Sequence, residues 1–159
     1  MKDKAANIWG VLRIAMGWLF FWAFIDKLFG LGFATPPDRA WLAGGSPTAG
    51  YLSNATAGPL AGIFQGLADS EIVKWLFMLG LLGIGLALIL GIGVKIASYT
   101  GAAMMVFMFV SALLPDNNPI MDDHIIYAIV LIGLDAVGAG KTLGLGRWWA
   151  EKVKNPILI

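Results

Sequence analysis

The fold is decided by residues 72–92, which read IVKWLFMLGLLGIGLALILGI and contain a single charged side chain, that of Lys74. A helix needs about 20 consecutive apolar residues to cross the hydrocarbon layer of a membrane. Backbone groups inside lipid must be hydrogen-bonded within the protein, so a spanning segment is either a helix or a barrel strand. The run lacks the polar–apolar alternation of a barrel strand, and it therefore predicts a transmembrane helix.

Three further stretches of the chain have the same apolar character. They cover about residues 8–29, 97–114 and 122–140. Only Lys95 and a few neighbours separate the second span from the third, which predicts a tight antiparallel hairpin. Together the four stretches predict an all-α membrane protein, a four-transmembrane-helix bundle that forms a single domain over residues 1–159.

The connection between the first and second predicted spans, residues 30–70, is long for a compact bundle. It contains apolar stretches at residues 41–43 and 60–64. This apolar content argues against disorder, which is typical of polar and charged segments. We therefore expect a partly helical extracytoplasmic loop between helices 1 and 2, with short helices that lie on the outer face of the bundle.

Composition supports the membrane assignment and excludes one class of partner. Hydrophobic residues make up 58% of the chain and charged residues 13%, against about 45–50% and about 25% in an average soluble domain. A domain of this size cannot bury such a surplus, so the excess is expected to face a lipid bilayer. The net charge is +1 and no basic stripe is present, so nucleic acid is not expected as a partner.

The distribution of Lys and Arg predicts the orientation of the chain, because basic residues near the span ends favour the cytoplasmic side. One side of the predicted bundle carries most of them: Lys2, Lys4, Lys95, Lys141, Arg147, Lys152 and Lys154. The other side carries Arg39 and Lys74 among several acids. The pattern predicts a multi-pass protein of the cell membrane with both termini in the cytoplasm.

The chain has no cysteine and a single histidine, His124. Iron–sulfur clusters and cysteine-ligated zinc are therefore not expected, and neither is a haem held by two histidines of this chain. No metal is expected, because one histidine without ordered ligand spacing is weak evidence for a metal site. Any electron transfer would use a bound substrate or a partner subunit.

Ionisable residues inside the predicted spans are candidates for function, because charge is costly in lipid. Each helical residue turns by about 100°, so Arg13 and Lys27 lie within about 40° of each other on the first span. His124 and Asp135 lie within about 20° on the fourth. If the face of the first span that carries Arg13 and Lys27 packs against the face of the fourth span that carries His124 and Asp135, Arg13 pairs with Asp135. The pair could be a structural clamp that sets helix register, or either residue could line a pocket or move protons.

The outer ends of the same two spans concentrate charge. Five ionisable side chains are expected there: Asp26, Lys27, Asp122, Asp123 and His124. Histidine titrates near neutral pH, so His124 and Asp123 are the candidate catalytic residues, acting in proton exchange. The alternative is an interfacial anchor without catalytic function. The candidate substrate-binding residues are Arg13, Asp26, Lys27, Asp122 and Asp135.

Small residues spaced by four in the second span, Gly83, Ala87 and Gly91, predict a helix-packing face. Tryptophans at Trp18 and Trp22 lie mid-span on the side roughly opposite Arg13. These features permit a homodimer in addition to packing within one chain.

Four stretches resemble the DoxX/DoxD membrane proteins, and particularly the DoxD-type large subunit of thiosulfate:quinone oxidoreductase. They are RIAMG at 13–17, IDKLFGLGFAT at 25–35, AWLAGGSPT at 40–48 and NPIMDDH at 118–124. The second and third are the most specific. The resemblance implies a four-helix membrane subunit that passes electrons from a sulfur compound to a bound quinone, together with a second protein subunit.

Two other functions remain open at this point. The chain could be a non-catalytic membrane scaffold that recruits a redox partner protein, since it carries few redox-active side chains. It could also be a carrier for a small solute, although no inverted repeat or broken helix pair of the kind transporters use is visible.

Overall fold

The computed structural model describes residues 2–113, 115, 118, 120–155 and 158, and the regular structure in these residues is helical. The α-helices are α1 Lys2–Phe29, α2 Pro47–Asn54, α3 Ala61–Gln65, α4 Glu71–Leu90, α5 Val94–Ser111, α6 Asp123–Ala136 and α7 Gly146–Lys152. Short 3-10 turns occupy Pro37–Arg39, Trp41–Ala43 and Ala139–Lys141. This agrees with the predicted all-α class.

Three helices in the described part of the chain are long and apolar enough to cross a membrane. They are Lys4–Phe29 within α1, Glu71–Leu90 and Val94–Ser111. Helix α6 has 14 residues, so it rises about 21 Å, less than the roughly 30 Å of a hydrocarbon core. The three spans agree with the membrane assignment, whereas the fourth span stays a prediction.

The third span begins earlier than predicted because of the turn that precedes it. Gly91, the C-cap of α4, has a left-handed φ of 77°, and Gly93, the N-cap of α5, has a left-handed φ of 60°. Glycine adopts this conformation without a steric penalty, so the chain reverses within three residues. The predicted hairpin is confirmed. Its second helix covers Val94–Ser111 rather than 97–114, and Leu114 lies outside the described residues.

The four main helices pack as a bundle around one apolar core. Helix α1 lies along α4, α4 contacts α5 across the hairpin, and α5 lies along α6. The fully buried apolar side chains at the centre are Phe20, Met78, Leu88, Leu131 and Leu134. Each main helix also exposes large apolar residues on the outer surface, such as Ile8, Leu86, Val106 and Ile129. An apolar exterior of this kind is the surface that lipid covers.

Glycines bring α1 and α4 into close contact. A Cβ atom on Gly17 would lie 2.8 Å from the Ile89 amide nitrogen, and one on Gly85 would lie 2.8 Å from the Phe21 amide nitrogen. A Cβ on Gly83, by contrast, would meet no atom within 4 Å. The predicted packing face is therefore wrong at Gly83, which faces open space, whereas a Cβ on Gly91 would lie 2.8 Å from the Gly140 carbonyl oxygen. The close contact between α1 and α4 is made by Gly17 and Gly85.

This difference predicts opposite effects for two neighbouring substitutions. Gly83→Ala should leave stability unchanged or raise it by up to about 1 kcal/mol, because alanine is the better helix former. Gly85→Ala should cost about 1–3 kcal/mol, because its methyl group overlaps the α1 backbone. Thermal unfolding of the purified variants in detergent measures both. Equal melting temperatures for the two variants would contradict the assigned packing face.

The 30–70 connection folds over one end of the α4–α5 pair. Ser46 caps α2 by accepting a hydrogen bond from the Ala49 amide at 3.2 Å, and Pro47 occupies the first turn. The Ala57 amide donates to the Ser111 carbonyl at 2.9 Å, which ties the connection to the end of α5. Helices α2 and α3 thus form a cover at this end of the bundle.

The segment after α6 closes the opposite end of the bundle. The Leu145 amide donates to the carbonyl of Leu90, the last residue of α4, at 2.8 Å. A Cβ on Gly146 would lie 2.1 Å from the Gly140 carbonyl oxygen, so only glycine fits there. Within the glycine-rich sequence GAGKTLGLG at residues 138–146, Gly140, Gly144 and Gly146 therefore serve close backbone packing.

Candidate binding groove

A groove with a volume of about 890 Å³ runs between α4 and α5. Its walls include Leu76 and Phe77 from α4 and Met104 and Phe107 from α5. Small-molecule sites are mostly apolar clefts of about 300–1,000 Å³. In size and character the groove therefore matches a site for an apolar ligand or for a ligand with an apolar tail.

The groove exists because small residues line both helices. Gly80, Gly83 and Ala87 line it from α4, and Ala97 and Ala103 line it from α5. With side chains this short, the two helices leave space between them where larger residues would interdigitate. The stripe that the sequence predicts as a packing face is thus, at Gly83 and Ala87, the wall of a cavity.

The cover formed by α2 and α3 limits one end of the groove. Leu52 and Phe64 line it from the cover, while Gly93 lines its far end near the α4–α5 turn. The groove therefore follows most of the length of α5, whose 18 residues rise about 27 Å. That length is close to the thickness of the hydrocarbon core and suits an extended acyl or isoprenoid chain.

Hydroxyl groups cluster where the groove meets the cover. The Tyr51 and Ser111 hydroxyl oxygens lie 2.8 Å apart, and Ser111 also donates to the Met108 carbonyl at 2.8 Å. Thr48 lines the same end, is 3% exposed, and its Oγ1 has no hydrogen-bond partner among the described residues. Apart from Thr100, whose hydroxyl donates to the Ile96 carbonyl at 2.7 Å, the groove is apolar along its length and polar at one end.

Arg13 is fully buried but does not pair with Asp135. Its Nη1 donates to the carbonyls of Leu88 and Ile89, the latter at 3.1 Å, near the C-terminus of α4. Its Nη2 donates to the carbonyls of Thr142 and Leu143, at 3.0 and 2.8 Å. The predicted pair is wrong, because four main-chain oxygens take the place of the expected carboxylate. A cation at a helix C-terminus is also favoured by the helix dipole.

Asp135 lies in a separate, smaller cavity of about 260 Å³ at the same end of the bundle. Lys95, Lys141 and Trp149 line that cavity with it. Asp135 is half-buried and forms no ion pair within the part of the chain that the structure describes. The structure therefore separates Asp135 from both Arg13 and the groove.

Asp26 also has a local structural partner. Its side chain is 1% exposed and accepts hydrogen bonds from the amides of Phe33 and Ala34, at 3.3 and 3.0 Å. These bonds hold the turn that follows α1. Lys27, next to it, is half-buried and forms no ion pair with the acids at the start of α6 in the described structure. The predicted outer cluster is therefore divided into two parts.

The second part of that cluster is at the start of α6. Asp122 caps the helix by accepting from the Ile125 amide at 3.1 Å, and its other oxygen lies 2.7 Å from His124 Nδ1. An Asp123 oxygen lies 3.5 Å from the same nitrogen. Burial alone would raise the pKa of Asp122, but the hydrogen bonds from His124 and Ile125 outweigh it and hold that pKa below its usual value.

These three side chains could also approach one cation. Their ligand atoms, on Asp122, Asp123 and His124, lie within 4.8 Å of one another. Both oxygens of Asp122 already have partners, however, because they cap α6 and contact the imidazole. The arrangement is accounted for by helix capping, and the expectation of no bound metal stays a prediction.

The sequence model of the family described as DoxX matches residues 8–114. The chain belongs to the DoxX family. The matched part of this DoxX protein includes all of α4 and α5 and the entire lining of the groove, from Thr48 to Ser111. No curated protein and no solved structure matches the chain.

The extent of the DoxX match separates the candidate residues into two groups. The buried charges Arg13 and Asp26, together with Lys27, fall inside it. Four candidates lie beyond its end: Asp122, Asp123, His124 and Asp135. The groove therefore belongs to the family domain, whereas the histidine and its acids are in the segment that follows.

Sequence reasoning missed the hydroxyl groups of the DoxX groove. Ser111 is a polar residue near the end of an apolar run, and Tyr51 and Thr48 lie in a connection judged only by its apolar content. The one available signal was the small-residue stripe at Gly83 and Ala87, which fits a cavity wall as well as a packing face. Spacing alone does not distinguish the two.

Proposed function

We propose that this DoxX protein is the membrane subunit of a quinone-linked oxidoreductase and that the α4–α5 groove binds the quinone. The observation that carries the proposal is the groove itself, about 890 Å³ in volume. A quinone combines a long apolar tail with a compact polar ring. The apolar walls suit the tail, and the polar end of the groove, where Thr48, Tyr51 and Ser111 lie, suits the ring.

The proposed electron donor is a sulfur compound such as thiosulfate. The support is the resemblance of the 25–35 and 40–48 stretches to the DoxD-type large subunit of thiosulfate:quinone oxidoreductase. This chain has no cysteine and one histidine, so we place oxidation of the donor on a second protein subunit. The membrane subunit would then supply the quinone site.

Reduction of a quinone takes up two protons with two electrons, and His124 is the proposed group for proton exchange, with Asp123 beside it. Helix α5 ends at Ser111 and the adjacent helix α6 begins at Asp123. This topology supports a position of His124 at the same end of the bundle as the groove hydroxyls. The proposed orientation, with both termini in the cytoplasm, would put that end on the outer side.

A photoreactive quinone with a long apolar tail tests the proposal in lipid nanodiscs. Labelling should map to α4, α5 and the α2–α3 cover, because these elements line the groove. Excess unlabelled quinone should suppress the labelling, whereas a fatty alcohol of equal length should suppress it much less. Labelling that spreads over the outer faces of the helices without saturating would overturn the proposal and favour the non-catalytic scaffold.

A further inference from the structure

The hydroxyl cluster at the end of the groove has a defined direction of hydrogen bonding. A hydroxyl group has one proton to donate and two lone pairs that accept. Ser111 donates its proton to the Met108 carbonyl at 2.8 Å. The Ser111 oxygen must therefore accept in its second contact, 2.8 Å from the Tyr51 oxygen. It follows that Tyr51 is the donor in that contact.

This direction determines what Tyr51 offers to a ligand. With its proton directed at Ser111, the Tyr51 oxygen presents only acceptor lone pairs to the groove that it lines. Thr48 is the opposite case, because its Oγ1 is buried and without a partner among the described residues. Buried polar groups in proteins nearly always have a partner, so Thr48 is available to donate to a ligand that enters.

We infer that Tyr51 and Thr48 form a head-group subsite that binds quinol more tightly than quinone. The inference rests on the proposed function. A quinol carries O–H donors, one of which Tyr51 can accept, while a quinone carries only carbonyl acceptors. Facing Tyr51, the quinone oxygen meets another acceptor, and its favourable contact is limited to the Thr48 hydroxyl.

A preference for the reduced form has a consequence for electron transfer. Tighter binding of quinol than of quinone raises the reduction potential of the bound pair relative to the free pair. The groove would thereby make its quinone a stronger electron acceptor. One hydrogen bond of this kind changes affinity by about threefold to tenfold.

Equilibrium binding of one tail-bearing compound in both redox forms tests the inference. The wild-type protein should bind the quinol about threefold to tenfold more tightly than the quinone. Tyr51→Phe keeps the ring and removes the acceptor, so it should weaken quinol binding and spare quinone binding. Thr48→Val should weaken quinone binding, and Thr48→Ser should restore it. Tyr99→Phe is the matched control, because Tyr99 is exposed on α5 and does not line the groove.

Ser111→Ala distinguishes the proposed binding role of the Tyr51 hydroxyl from a merely structural role. Loss of the serine oxygen removes the acceptor of the Tyr51 proton. Tyr51 can then donate to a quinone carbonyl, so quinone binding should tighten while the preference for quinol falls. A weakening of both forms by equal factors would overturn the inference.

The two proposals fail in different ways. If the wild-type protein binds both redox forms equally and Tyr51→Phe changes neither, the head-group subsite is wrong while the groove remains a quinone site. If the wild-type protein binds neither form saturably, the proposed function itself is wrong. Thermal unfolding of each variant identifies any loss of binding that comes from loss of the fold.

Discussion

Arg13→Ala is expected to prevent stable folding, with a loss of at least about 3 kcal/mol in the free energy of unfolding. The reason is that one guanidinium serves four main-chain carbonyls, two on α4 and two on the 142–143 turn. A hydrogen bond to a charged group contributes about 1.5–3 kcal/mol, and each buried carbonyl left without a partner adds to the loss. Thermal unfolding in detergent and the yield of monodisperse protein measure the effect.

Arg13→Lys should fail to restore stability. Lysine carries a single ammonium on a flexible stem, whereas the planar guanidinium directs its donors in a fixed fork. It therefore cannot reach both pairs of carbonyls at once. Arg147→Ala is the matched control, because Arg147 is exposed and, among the described residues, makes one hydrogen bond, from Nε to the Lys141 carbonyl at 2.9 Å.

Asp135→Asn separates the observed role of Arg13 from the ion pair that helix periodicity predicts. If carbonyls hold Arg13, this substitution should leave the melting temperature nearly unchanged, since Asp135 forms no ion pair in the described structure. If Asp135→Asn instead lost as much stability as Arg13→Ala, the result would support the predicted ion pair.

Gly83→Trp is expected to lower quinone affinity at least tenfold while the protein stays folded. A side chain at residue 83 points into open space, since a Cβ there meets no atom within 4 Å. The indole would occupy the volume between α4 and α5 that the ligand tail needs. Saturation binding of a tail-bearing quinone in nanodiscs measures the loss.

Leu86→Trp is the control for that substitution. Leu86 lies on the same helix, is exposed, and does not line the groove. It should leave quinone binding unchanged, because its side chain faces the outer surface. Equal losses for the two variants would indicate a general effect on the helix, and full binding by Gly83→Trp would place the ligand outside the groove.

The helices were predictable because length and hydropathy are local properties. The apolar run at 72–92 became α4 with shifts of one and two residues at its ends, and the run at 8–29 became α1, which begins six residues earlier at Lys2. The start of α5 was misplaced by three residues because the left-handed glycines Gly91 and Gly93 reverse the chain more tightly than the position of Lys95 indicates. The predicted fourth span became the 14-residue helix α6, followed by a 3-10 turn.

The partners of the buried charges were less predictable. Helix periodicity identified Arg13 as a buried cation, and Arg13 is indeed fully buried. The expected partner was an acid because acidic side chains can be identified directly in a sequence. Carbonyl oxygens occur at every residue, and only the positions of the α4 terminus and the 142–143 turn select the four that Arg13 contacts.

Residue types along the chain were enough to establish a membrane protein with several apolar helices, since the cost of exposing polar backbone to lipid leaves few other structures. The groove required the arrangement of those helices in space. A glycine has no side chain, so Gly85 forms a close contact where the α1 backbone is near, and Gly83 borders a cavity where no atom is near. The distance from a glycine to the nearest atom of another helix depends on where that helix packs and not on the glycine itself. The groove could therefore be identified only in the folded chain.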